Sequence, residues 1–140
     1  MIKEFTIYIR DNMARTVIVP VIGTNLFAGY RPDDAPDTCI TVLERDPSVP
    51  NPMLPDTFQK PVQILTRSDS YMRARQLAME IHDILYGINN VGILMGPIVS
   101  GGDVYQVNMV TGSEPAWLGV DDKNRFEFTS NYVVNGQKNP

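Results

Sequence analysis

The sequence predicts an α+β fold in which a small mixed, mainly antiparallel sheet packs against one main helix, with a second helix at the N-terminus. Strand candidates follow one another without the alternating strand and helix rhythm of a doubly wound sheet, and one strongly amphipathic helix lies mid-chain. The composition, 43% apolar and 20% charged over 140 residues, is that of an ordinary globular protein. We therefore expect one domain over residues 1–135 and a disordered tail over residues 136–140.

Residues 2–14 fit two patterns. Ile2, Phe5, Ile9 and Met13 would share one face of a helix, whereas Phe5, Ile7 and Ile9 alternate as they would in a strand. We favour the helix, although the pattern alone does not separate the two.

Strands are expected where apolar residues alternate between turn-forming segments, at about 24–31, 38–45, 58–66, 104–111 and 125–134. The segment Pro32–Pro36 separates the first two. The last strand alternates most clearly, because Phe126, Phe128, Tyr132 and Val134 fall on one side and mainly polar residues on the other. This pattern predicts a sheet with one buried face.

The main helix is expected over about residues 69–86. Ser68 can cap its first turn, Asp69 suits the helix dipole there, and Gly87 is placed to end the helix. Its apolar arc, which we expect to cover the sheet, consists of Tyr71, Ala74, Leu77, Ala78, Ile81, Ile84 and Leu85.

A second stripe runs along this helix between the apolar arc and a narrow polar arc formed by Arg73, Gln76, Glu80 and Asp83. This α2 stripe consists of Met72, Arg75, Met79, His82 and Tyr86. A surface helix needs only one buried face, and Met, Tyr and Arg are enriched where proteins meet. We predict that the α2 stripe lies at or beside a subunit interface; the alternative is that the protein's own loops cover it.

Residues 46–57 form a proline-rich loop, with prolines at 47, 50, 52 and 55. Prolines cannot donate ladder hydrogen bonds and hold a chain semi-extended, so the loop should be stiff. We predict an exposed arm whose Val49, Met53 and Leu54 contact a neighbouring subunit or a tail protein. The alternative is a loop folded back on its own sheet.

Several functional classes are disfavoured by composition. Sixteen acidic residues against twelve basic ones give a net charge of −4, without the basic cluster that binds nucleic acid phosphates. The least charged stretch, Ile88–Gly102, is broken by Gly and Pro and is too short to span a membrane. One cysteine and one histidine cannot supply a disulfide framework or the usual zinc ligands. We expect no cofactor, no metal and no membrane partner.

Candidate reactive groups also favour structural roles. Cys39 and His82 lie on different elements and lack a nucleophile signature, so we interpret Cys39 as a buried thiol. Ser100–Asp103 lacks the Lys and glycine spacing of a phosphate loop and is expected to be a turn. The acidic segment 121–124 lacks the ligand pattern of a calcium loop and is expected to be a solvated turn. The sequence predicts that the protein is not an enzyme.

Arg67 stands at the end of the third strand, just before the main helix. A guanidinium in this position can bond carboxylates or backbone carbonyls around the strand end. We predict a structural role; contact with DNA is the alternative, disfavoured because no other basic residue adjoins it.

Two stretches resemble the tail-terminator, or minor-capsid, family of long-tailed bacteriophages. The first runs from Gly23–Phe27 to Pro32–Cys39, and the second is Pro61–Ser68, followed by helix residues Tyr71, Ala74, Ala78, Ile81 and Leu85. The order of elements, including Asn131 in the last strand, is similar over almost the whole chain. The four prolines of the loop at 46–57 depart from the glycine expected there.

The resemblance implies a structural protein of the virion, assembled in the host cytoplasm, that has no catalytic residues. It implies a ring, typically a hexamer, that caps the tail tube and offers its other face to the connector or completion proteins of the head, with genomic DNA passing through the lumen without specific binding. Alternatives are another head–tail joining or tail-tube protein, or a small enzyme or ligand-binding domain whose pocket is built by Ile88–Gly102.

Overall fold

The computed structural model describes residues 1–45, 52–54 and 56–140. The described residues form helices α1 (Ile2–Asn12) and α2 (Tyr71–Val91) and strands β1 (Leu26–Ala28), β2 (Cys39–Glu44), β3 (Thr57–Ser68), β4 (Ile93–Met95), β5 (Tyr105–Gly112), β6 (Ala116–Val120) and β7 (Phe126–Lys138). The predicted α+β class is confirmed.

The strands form one sheet in the order β1-β2-β3-β7-β5-β4, with β6 also paired to β7. Only β1 and β2 are parallel among the described pairs, and every other pair is antiparallel. Strands β5 and β6 lie end to end along the same side of β7, since Gly112 pairs with Tyr132 and Ala116 with Thr129. Among the described residues β4 pairs only with β5, so the outer side of β6 is an unpaired edge of the sheet there.

Both helices contribute to one hydrophobic core on the sheet. The face of β7 predicted to be buried supplies Tyr132 and Val134, and α2 supplies Leu77, Ile81 and Leu85. The N-terminal segment is a helix, because burial follows a spacing of four residues at Phe5, Ile9 and Met13. The strand interpretation of residues 2–14 was therefore wrong.

The main helix is longer than predicted at its C-terminal end. It continues past Gly87 to Val91, and Gly92, with φ of 67°, follows its last residue. Ile88 extends the apolar stripe by one turn and is fully buried. Burying such a side chain contributes about 1.5–3 kcal/mol, whereas an interior glycine costs about 1 kcal/mol, so the longer helix is favoured.

The start of α2 also differs from the prediction. Ser70 precedes the first helical residue, Tyr71, and no side-chain capping bond is present there. Ser68 belongs to β3, and its hydroxyl accepts a hydrogen bond from the backbone N–H of Ser70 at 3.3 Å. Asp69 lies outside the helix because the long β3 extends to Ser68 and only Asp69 and Ser70 remain to make the turn.

The C-terminal residues 136–138, predicted to begin a disordered tail, belong to β7. Gly136 pairs with Phe58 on one side and Val107 on the other, and a Cβ at this position would collide with the carbonyl oxygen of Gln106. The glycine therefore permits a close approach of strands and does not mark the end of the fold. The N–H of Lys138 then donates to the Asp56 carbonyl at 2.7 Å.

Candidate assembly surfaces

Cys39 and His82 have different partners. Cys39 is buried on β2 opposite Arg67, and desolvation raises the pKa of its thiol despite the nearby guanidinium groups. A raised pKa leaves little reactive thiolate. His82 instead shares a hydrogen bond of 2.9 Å with the Tyr132 hydroxyl through Nδ1. This arrangement does not activate Cys39 as a nucleophile.

The two carboxylates of the polar arc on α2, Glu80 and Asp83, have different surroundings. Glu80 accepts a hydrogen bond from Thr16, which Gln76 also contacts, while Asp83 is exposed. Arg73 donates to the carbonyl of Val17 at 3.5 Å. The polar arc is therefore partly covered by the segment that follows α1.

The segment 121–124 forms the turn between β6 and β7 and is held by Asp121. Its carboxylate accepts hydrogen bonds from the backbone N–H of Lys123 at 3.0 Å and of Arg125 at 2.9 Å. The Arg125 Nε donates to it at 2.8 Å. The carboxylate is thus occupied by protein donors, and within the described ranges no three His, Cys, Asp or Glu residues group as metal ligands.

The Asp121 turn predicts a pH-dependent stability. Desolvation alone would raise the pKa of Asp121, but the bonds from Arg125 and Lys123 outweigh it and lower that pKa. Ionised Asp121 therefore stabilises the fold above its unfolded pKa of about 3.9, and this contribution is lost as pH falls through the lower folded pKa. We expect Asp121→Asn to lower the melting temperature at pH 7, with a difference from wild type that shrinks below pH ~4 in thermal melts. A difference that persists at the lowest pH would contradict this.

The segment Ile88–Gly102 is the alternative candidate for a ligand pocket, and Asn89 and Ser100 are its described polar side chains. The Asn89 side chain bonds both the N–H and the carbonyl of Val110, at 2.6 and 2.9 Å. Ser100 is exposed in the turn between β4 and β5, where Gly102 donates to Val99 at 2.9 Å. The side chain of Asn90 lies outside the described part of the structure. Neither Asn89 nor Ser100 converges on a cavity as a binding site would require.

The two helices of the described chain lack the combination of length and apolar character needed to cross a membrane.

The α2 stripe is divided into an exposed half and a half-buried one. Met72 is 64% exposed and Arg75 is exposed, whereas Met79, His82 and Tyr86 are partly buried. The rings of His82 and Tyr86 lie 4.4 Å apart, and the Tyr86 hydroxyl donates to the Gly112 carbonyl. The protein's own strands β5 and β7 therefore contact the C-terminal end of the stripe, and the N-terminal end faces outward.

The buried Tyr132 contacts both His82 and Tyr86 at this end of the stripe. Burial raises the pKa of Tyr132 to about 12, so its hydroxyl remains protonated at neutral pH beside His82. The hydrogen bond fixes the His82 ring against the sheet and limits how far this end of the α2 stripe can rearrange.

Sequence reasoning missed a second apolar surface, on β6. Trp117, Leu118 and Val120 are 56%, 55% and 48% exposed, and we call these three residues the β6 knob. The Trp117 ring lies 6.1 Å from that of Tyr71, the first residue of α2. The β6 knob therefore adjoins the exposed end of the α2 stripe. The sequence signal was the uncharged apolar run between Glu114 and Asp121, which is too short and too uniform to show alternation.

The proline-rich loop presents apolar side chains at its described tip. Met53 is 84% exposed and Leu54 is 56% exposed. The Leu54 carbonyl accepts bonds from the backbone N–H and the hydroxyl of Thr57, at 3.1 and 2.8 Å. Val49, the third residue predicted to dock, lies outside the described residues.

Arg67 is 3% exposed and bonds three consecutive carbonyls. Its Nη2 donates to Pro36 at 2.8 Å and to Ala35 at 3.3 Å, and its Nε donates to Asp37 at 3.3 Å. Desolvation, with repulsion from Arg31 and Arg125, lowers the pKa of Arg67. The side chain ties the loop before β2 to the end of β3, so its donors are used within the fold.

We expect Arg67→Lys to lower the melting temperature. A lysine ammonium cannot reproduce the planar fork, so at least one buried carbonyl loses its donor at a cost of about 1–3 kcal/mol. Thermal unfolding followed by circular dichroism measures the change in melting temperature. Arg45→Lys, at an exposed position directly after β2, is the control. An unchanged melting temperature together with altered DNA passage would assign Arg67 to the DNA path.

Comparisons with known proteins agree with this geometry. A family model described as bacteriophage tail terminator protein matches residues 12–138. A chain in the solved structure titled "Virion of native gene transfer agent (GTA) particle" shares the fold, with a TM-score of 0.66 over 96% of this chain and 93% of that chain at 9% identity. No curated protein matches the sequence.

Proposed function

The chain belongs to the bacteriophage tail terminator family, and we propose that it forms a ring of six subunits that caps the tail tube and joins it to the head. Members of this family are structural proteins of the phage tail and not enzymes, so the chain is a virion component. The observation that supports assembly most strongly is the outward-facing apolar surface formed by the α2 stripe and the β6 knob.

The α2 stripe supplies the residue types of an interface core on a rigid helix. Met72 and Arg75 are exposed at one end, and His82 and Tyr86 are held at the other by Tyr132 and Gly112. Such a surface loses little side-chain entropy on association at its fixed end, and Met adapts its shape to a partner at the other. The stripe is one side of the contact between subunits.

The loop at 46–57 is the arm that contacts the tail tube or a neighbouring subunit. The exposure of Met53 and Leu54 supports this, because adjacent exposed large apolar side chains are typical of surfaces that contact another protein. The bonds from Thr57 to the Leu54 carbonyl hold the base of the arm against the start of β3.

The lumen of the ring passes DNA without binding it. An excess of acidic over basic residues, with a net charge of −4, supports this, since carboxylates repel phosphates. A head completion or connector protein occupies the ring face opposite the tail tube.

Size exclusion coupled to light scattering tests self-assembly. The expected species has a mass near six times the 15.7 kDa chain, either for the protein alone or after addition of tail tubes from the same phage. A strict monomer under both conditions would contradict the proposal, whatever the shape of the monomer surface.

A further inference from the structure

Two apolar features lie on opposite edges of the sheet. The β6 knob borders β7 on one side, while β1 ends the strand order on the other, with β2, β3 and β7 between them. Beside β1, helix α1 and the neighbouring loops enclose a groove of about 440 Å³. We call this the α1–β1 groove; its lining is mainly apolar and includes Ile7, Ile22, Phe27, Tyr30 and Ile98.

The knob and the groove are both mainly apolar. The groove is large enough to take an indole ring, and aromatic side chains in apolar pockets are the residues that contribute most at protein interfaces. Trp117 is the only tryptophan of the chain and is 56% exposed. Within a single subunit it cannot reach the groove, because three strands separate the two edges.

The charges beside the two features are also complementary. Lys3 lines the α1–β1 groove, and Glu114 lies two residues before β6. Both are exposed, and neither forms an ion pair with another residue in the described part of the chain. A cation therefore borders the groove, and an anion lies close in sequence to the strand that carries the knob.

We infer that the α1–β1 groove of one copy receives the β6 knob of a second copy, so that subunits associate head to tail. Different surfaces on opposite edges make a heterologous contact, which closes into a ring when the rotation between copies divides a full turn. This inference rests on the proposed ring and identifies the second side of its interface. The α2 stripe adjoins the knob through Tyr71 and Trp117 and so belongs to the same side.

Cysteine cross-linking of the full chain tests the contact. Leu118→Cys places a thiol beside Trp117 on β6, and Tyr30→Cys places one in the groove; both native side chains are exposed, and the native Cys39 is buried. Under oxidising conditions a mixture of the two single variants should give a disulfide dimer with one copy of each. A tag on one variant identifies the mixed species, and Gln76→Cys on the polar arc of α2 is the control that should not cross-link with Leu118→Cys.

Trp117→Ala gives a second measurement. It should weaken self-association about thirtyfold, as expected for the loss of a central aromatic residue, while circular dichroism shows a retained fold. Wild-type affinity in this variant would overturn the inference, as would Leu118→Cys cross-linking to itself, which requires a two-fold contact. Wild-type rings without the mixed disulfide would overturn the inference and leave the proposed function standing. A wild-type chain that never assembles would overturn both.

Discussion

Replacing Met72 and Met79 by Glu is expected to give a folded subunit that no longer forms rings. Met72 is 64% exposed and Met79 is partly buried on the same helix, so both positions retain contact with water in the free subunit. In an assembled ring the two carboxylates would be buried without partners, at a cost of several kcal/mol per ion. That cost corresponds to assembly weakened at least about a thousandfold.

Light scattering of the double variant measures the loss of ring assembly. Met72→Leu with Met79→Leu is the matched control, because it keeps apolar side chains of similar volume at the same positions and should assemble. Unfolding of the Glu variant would place the α2 stripe in the core. Normal assembly would show that the stripe faces solvent or the channel and that the interface lies elsewhere.

Deleting Val49–Leu54 is expected to abolish capping of tail tubes while sparing the fold. The deletion leaves five residues between Arg45 and Thr57. Arg45 is anchored beside Pro61 by a hydrogen bond from its N–H, and Thr57 lies four positions along β3 from there, roughly 13 Å away. Five residues reach farther than this when extended, so the shortened connection can close without strain on the sheet.

Tail tubes from the same phage, incubated with the deletion variant and inspected by electron microscopy, measure capping. Met53→Ser with Leu54→Ser retains the loop length and separates the effect of the two side chains from that of the arm. Both variants should keep the wild-type melting temperature within a few degrees. Normal capping by the deletion variant would contradict the assignment of the loop as the docking arm.

The fold could be predicted where burial follows a regular period. The alternation of Phe126, Phe128, Tyr132 and Val134 indicated β7, and the arc around Leu77, Ile81 and Leu85 indicated α2. The short strands β4 and β6 were missed because Gly92 and Gly96 flank β4, and because the residues of β6 do not alternate between apolar and polar. Gly87 was misinterpreted as the end of α2, and Gly136 as the start of a disordered tail. The burial of Ile88 and the crowding at Gly136 depend on distant parts of the chain, so neither is visible in the local sequence.

The candidate surfaces were predictable in part for the same reason. Helical spacing placed the α2 stripe on one flank, but the bond between His82 and Tyr132 joins residues fifty positions apart and is invisible in the spacing. The groove beside β1 combines α1, β1 and the turn near Ile98, so its existence depends on tertiary packing. The β6 knob is recognisable as a surface only once β6 is known to be an edge strand.

The proposed position of the protein can be observed by electron microscopy of tails assembled with it. We expect a single ring of six copies at one end of each tail tube, with an open lumen along the tube axis. Copies distributed along the length of the tube, or tails that lack the protein at both ends, would contradict it.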